Sequence, residues 1–233
     1  MFKTLTSHLN DFAHLFFPHV CEGCGTDVLD NNSLLCASCF LKLPETGFIK
    51  EVNNPIEKIF YGRIKVETAG SAFYFTKHSL LRHLIHELKY RGNKDIGFYL
   101  GKLLGYQLLQ TDRFSNVDAI IPLPLNPKKE RKRGYNQAAI IAEGISSVWY
   151  KPILKNAVQR VIFTETQTHK DRISRWQTME GVFATAAETS LEGKHILLID
   201  DIVTTGATLE ACGEKILQVP ETKLSIIAVA YTI

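Results

Sequence analysis

One stretch constrains the fold more than any other: His195-Ile-Leu-Leu-Ile-Asp200-Asp201-Ile-Val-Thr204-Thr205-Gly206-Ala207-Thr208. Ile196–Ile199 is an unbroken apolar run, as expected of a strand buried on both faces of a parallel sheet. Two adjacent carboxylates close that run, a threonine- and glycine-rich turn follows, and a helix is expected from Ala207. In open α/β sheets, ligands bind beyond the carboxyl ends of the strands. A helix amino terminus carries free amides and partial positive charge, which attract phosphate. Thr204, Thr205 and Thr208 add hydroxyl donors, and Gly206 lets the backbone come close. Asp200 and Asp201 then face sugar hydroxyls just beyond the phosphate. Side chains alternate along a strand, so the two carboxylates are expected to differ in role. A bland acidic turn is the weaker reading. Adjacent carboxylates repel, and such a turn would rarely set them before three threonines and a glycine.

The rest of the chain fits the same architecture. Thr68–Phe75, Val117–Pro122, Ala157–Ile162, Lys194–Asp200 and Leu224–Thr232 read as strands. Leu80, Leu81, Leu84, Ile85 and Leu88 form a helical stripe, and Ile96–Leu109, Tyr135–Val148 and Ala207–Val219 read as helices. Alternation of this kind predicts a parallel sheet with helices on both faces. At 233 residues the chain has room for one medium domain and a small appendage. We divide it into 1–50 (a helix and a cysteine module), a 51–65 connector containing Asn53-Asn54-Pro55, and a 66–233 body. With 27 Lys and Arg against 24 Asp and Glu, a whole-surface nucleic-acid binder is disfavoured, whereas a local basic patch is not. No apolar run approaches the roughly 18 residues of a membrane span. The amino terminus, with Leu5, Leu9, Phe12 and Phe16 at helical spacing, reads as an amphipathic helix and not as a secretion signal. A cytoplasmic, reducing location is therefore expected.

Four of the five cysteines form two pairs, Cys21-Glu-Gly-Cys24 and Cys36-Ala-Ser-Cys39. A two-residue gap lets both thiolates of a pair address one centre, and Gly23 and Gly25 relax the turn. Disulfides are disfavoured in a reducing compartment. The spacing resembles a zinc ribbon more than an iron–sulfur motif, so a closed, structural Zn2+ site is expected. Cys212, alone in a helix, reads as a small buried apolar residue.

Two cationic segments stand apart. His86-Glu-Leu-Lys89-Tyr90-Arg91-Gly92-Asn93 puts cations and a glycine at a helix end. Read alone, it is almost as well explained as a basic helix C-terminus with a terminating glycine. Lys128, Lys129, Arg131, Lys132 and Arg133 form a dense run after Pro122-Leu-Pro124, flowing into Gly134-Tyr135-Asn136-Gln137. That run could grip a pyrophosphate, a second phosphorylated substrate or a nucleic-acid backbone.

The Asp200–Thr208 segment resembles the phosphoribosyl-pyrophosphate signature of type I phosphoribosyltransferases. Taken with Cys21–Cys39, the chain resembles the ComF family over nearly its whole length. Members of that family are bacterial competence proteins with a zinc-binding amino end and a phosphoribosyltransferase-like body. The resemblance implies an α/β fold of that type, Mg2+ with phosphoribosyl pyrophosphate, and displacement at the anomeric carbon. It assigns Asp200 and Asp201 to the ribose, Thr204, Thr205, Gly206, Ala207 and Thr208 to the 5′-phosphate, and Lys89, Tyr90, Arg91 and Gly92 to pyrophosphate. Arg131, Arg133 and Arg175 are looser candidates. Arg160 to Phe183, including Gln167 and Arg172, corresponds to a flap, with Thr178 standing where the family leads us to expect Asn. ComF relatives are implicated in the uptake of single-stranded DNA. A second reading therefore makes the chain a DNA-binding competence factor, with Lys128–Arg133 on the phosphates and Tyr135 or Trp176 stacking on bases. A ligand sensor without turnover is a third.

Overall fold

The computed structural model describes residues 19–27, 29, 33–160, 182–186 and 190–233. The amino-terminal helix and the flap residues Gln167, Arg172, Arg175, Trp176 and Thr178 lie outside them. The strands are β1 (Thr68–Phe75), β2 (Ala119–Pro122), β3 (Val158–Arg160), β4 (Phe183–Thr185), β5 (His195–Val203) and β6 (Lys223–Thr232). The helices are α1 (Ala37–Phe40), α2 (Pro55–Phe60), α3 (Leu80–His86), α4 (Lys94–Leu109), α5 (Pro127–Arg133), α6 (Gln137–Trp149) and α7 (Ala207–Leu217). A π-helical turn, Glu87–Arg91, extends α3.

Four strands pair in parallel in the order β1-β6-β5-β2. Leu197, Ile199, Ile227 and Val229 pack with Leu84, Leu100, Leu104, Ile141 and Ile145, so α3, α4 and α6 cover one face. Ile196, Leu198, Ile226 and Ala228 pack with Ile56, Phe60, Leu209 and Ile216, so α2 and α7 cover the other. The type I phosphoribosyltransferase-like sheet expected from the sequence is thus the one observed. β3 and β4, which flank residues 161–181, pair antiparallel with Arg160 opposite Phe183.

Two findings depart from the local reading. Residues 51–65, read as a connector, contain α2, whose Ile56 and Phe60 are buried in the core. The Asn-Pro signal is a helix start: Asn54 accepts from the Ile56 and Glu57 amides, and Pro55 occupies the first turn. The Asn54 Nδ2 group donates to the carbonyls of Phe48, Glu51 and Ala69, which holds that start in place. The central strand also runs past its apolar stretch. β6 keeps pairing with β5 out to Val203, while β2 stops at Pro122 opposite Ile199. Asp200 and Asp201 therefore lie inside β5, where the β2 side has no strand partner among the described residues.

Candidate functional site

Strand alternation separates the acid pair. Asp201 is buried and accepts a salt bridge from Lys89, with Nζ 2.8 Å from Oδ2 and 3.0 Å from Oδ1. Asp200 points to the α7 side, and its Oδ1 accepts from the Asp201 amide at 2.8 Å. Burial, and then the charge of Asp201, push the Asp200 carboxyl up to about 8, against the pull of that amide and of Lys89. At neutral pH the pair therefore keeps a proton. Cys212 is fully buried as expected, and burial and the nearby Asp200 raise its thiol.

The turn after β5 forms a small cleft lined by Asp200, Val203 and Thr204–Thr208. Thr204, Thr205 and Thr208 are exposed, and Gly206 opens α7 with φ +73°. A Cβ at Gly206 would also lie 2.6 Å from Ile59 Cγ2, so only glycine fits both the conformation and the contact. Arg63 fastens this turn. Its Nη1 donates to the Thr205 carbonyl at 2.9 Å and its Nε to Glu210 Oε1 at 3.0 Å. Sequence reasoning missed Arg63, because no local pattern links it to a turn 142 positions away.

The two cationic segments meet. Lys89, Tyr90, Gly92, Lys129, Lys132 and Arg133 line one cleft of about 290 Å3. The basic run is itself a short helix, α5, started by Asn126 and ended by Gly134. Lys128, Lys129, Arg131 and Lys132 are exposed on it, as is Arg91 at the end of the π-helical turn. The Arg133 guanidinium lies 5.5 Å from the ring centroid of Tyr90, which is 64% exposed. Tyr135 requires a correction. Its ring is buried, its hydroxyl donates to the Leu88 carbonyl, and Lys94 Nζ sits 5.1 Å from its centroid. It braces the π-helical turn and offers no stacking face. Tyr90, assigned by the resemblance to pyrophosphate and not to base stacking, has an exposed ring.

Cys21, Cys24, Cys36 and Cys39 converge, with all four sulfurs within 4.8 Å of one another. The Cys24 and Cys36 sulfurs are 3.7 Å apart, close to the about 3.8 Å edge of a tetrahedron with metal–sulfur bonds of about 2.3 Å. That spacing is far from the about 2.05 Å of a disulfide. The Gly23 and Cys36 amides donate to Cys21 Sγ at 3.4 and 3.2 Å. Burial raises the Cys21 thiol, but these amides and that of Cys24 outweigh it and bring it down to about 6. Cys39, buried and beside the other sulfurs, is pushed up to about 12. The residues fit a single metal ion held by four thiolates.

Residues 133–232 match the phosphoribosyl transferase domain family. The parallel sheet and this match give the chain a phosphoribosyltransferase-like body. DNA utilization protein YhgH of Shigella flexneri is 29% identical over 141 residues, 59% of this chain and 61% of that protein. The match thus spans about three fifths of that relative's length. Competence protein F of Haemophilus influenzae is 26% identical over 205 residues, covering 83% of this chain and 89% of that one. A solved adenine phosphoribosyltransferase superposes with a TM-score of 0.40 and 18% identity, over 61% of this chain and 73% of that one. The chain is thus similar to curated proteins named for competence and for DNA utilization. Among the described residues, no helix is long and apolar enough to cross a membrane.

Proposed function

We propose that this protein binds phosphoribosyl pyrophosphate with Mg2+ at the end of β5, in the service of DNA uptake in the cytoplasm. The observation that carries the reading is the Lys89–Asp201 contact of 2.8 Å, which joins the acid pair and phosphate turn to the cationic cleft. Thr204–Thr208 would take the 5′-phosphate on free helix amides and hydroxyls. Asp200 and Asp201 would accept from the ribose hydroxyls and stabilise a cation-like anomeric centre. Lys89, with Tyr90, Arg91 and Gly92, would hold the leaving pyrophosphate. Asp200 and Asp201 lie where a hard cation such as Mg2+ could be held, and with it bound the charge of the pyrophosphate would be offset. The four-thiolate centre suits Zn2+ in a structural role. Calorimetric titration with phosphoribosyl pyrophosphate and Mg2+, run beside an assay of pyrophosphate release with candidate acceptors, tests this. Saturable binding is expected. Binding without release would make the protein a ligand sensor, and no binding would end the reading.

A second reading is favoured by one observation, the exposed Tyr90 ring beside Arg133 in a lysine-lined cleft. Such a cleft suits single-stranded DNA, with bases on the aromatic and phosphates on the cations. Neutralising Lys128, Lys129, Arg131, Lys132 and Arg133 together is expected to weaken oligonucleotide binding. It should also flatten the log–log salt dependence by up to about 3.5 units, at about 0.7 for each phosphate that is no longer neutralised. An unchanged slope and affinity would exclude the run from a DNA surface.

A further inference from the structure

The cysteine module and the cationic loop touch at one polar contact. Asn93 Nδ2 donates to Glu22 Oε1 at 3.0 Å. Glu22 lies between Cys21 and Cys24, and Asn93 directly follows Lys89–Gly92. Asn93 stands at the start of α4, yet its side chain does not cap that helix. Asn54, Asn126 and Asn136, at the starts of α2, α5 and α6, each accept from an amide of their own helix. The Asn93 side chain is instead committed to the metal knuckle. The knuckle also presses on α3, since a Cβ at Gly23 would lie 3.0 Å from Leu80 Cδ1 and 2.8 Å from Cys39 Sγ. Cys21 and Cys39 share one apolar core with Leu81, Leu84 and Leu88 of the segment that carries Lys89.

We infer that Glu22 and Asn93 are positioning residues for the anion-binding loop, so that the four-cysteine centre sets the geometry of the cationic cleft. The inference rests on the reading that Lys89–Gly92 holds pyrophosphate. The loop has an unusual local form. Its π-helical turn is a short, uncommon form often placed at functional sites, and it ends in a left-handed Gly92 at φ +77°. Without an anchor at Asn93, the chain leaving Gly92 has fewer restraints on where Lys89 and the loop amides point.

The test uses inorganic pyrophosphate with Mg2+ as probe, titrated calorimetrically into the full chain, with metal content measured on each sample. Glu22→Ala and Asn93→Ala are each expected to weaken binding about fivefold, as for the loss of one hydrogen bond, with metal content unchanged. Glu22→Gln keeps a carbonyl acceptor for Asn93 and should stay within about twofold of the parent. Asn93→Ala lies outside the knuckle, so it decides the matter if Glu22→Ala loses metal. Parent-like binding by Asn93→Ala, alongside weakened binding by Lys89→Ala, overturns the inference and leaves the loop's role standing. Parent-like binding by Lys89→Ala overturns the loop's role itself.

Discussion

Asp200→Asn combined with Asp201→Asn is expected to lower affinity for phosphoribosyl pyrophosphate by at least about 100-fold, because the proposed site loses both ribose acceptors, one of them ionised at neutral pH. The chain should stay folded, because neither carboxylate is part of the apolar core. Circular dichroism and calorimetry on one preparation would separate the two effects. Parent-like binding by the double variant would mean the site lies elsewhere. The pair also predicts a pH signature. The Asp200 carboxyl is raised from 3.8 to about 8 in the folded protein. Between those values the folded state holds a proton that the unfolded state has released, so stability falls as pH rises from about 4 to about 8. Asp200→Asn alone removes that penalty. It should raise Tm by about 3 °C or more near pH 8, with the advantage vanishing toward pH 4. A ligand that needs Asp200 ionised should bind more tightly as pH climbs through the same window.

Replacing Cys36 and Cys39 together by serine is expected to have the largest effect on stability. The parent should carry about one zinc per chain, and the double variant none. Cys39 is buried in the core that contains Leu81, Leu84 and Leu88, so loss of the metal loosens more than the knuckle. We expect Tm to fall by about 10 °C or more, because metal binding at such sites is coupled to folding. Metal analysis of freshly purified protein and a thermal melt decide it. Zinc retained by the double variant, or absent from the parent, would overturn the assignment.

The parts read well from the sequence are those whose cause is local. A four-residue apolar run, two acids and a glycine turn specify a buried strand and an uncapped helix start wherever they occur. Cysteines two residues apart converge because a tight turn makes them converge. Asn54-Pro55 is legible in the same way, as a cap followed by a proline, but the reading of a connector masks it. Tyr135 is misplaced for the opposite reason. Its neighbours are cationic and polar, and its ring is buried against the distant π-helical turn, where its hydroxyl donates to the Leu88 carbonyl.

The sequence by itself determined the strand-turn-helix, the acid pair and the thiol cluster, because hydrogen-bonded turns and caps act over a few residues. The tertiary structure alone decided that Lys89 reaches Asp201 across 112 positions, that α5 faces Tyr90, and that Arg63 clamps the Thr205 turn. Those contacts depend on the order β1-β6-β5-β2 and on which helices cross each face. No short-range pattern encodes that order; it is set by the joint burial of apolar faces from the whole chain.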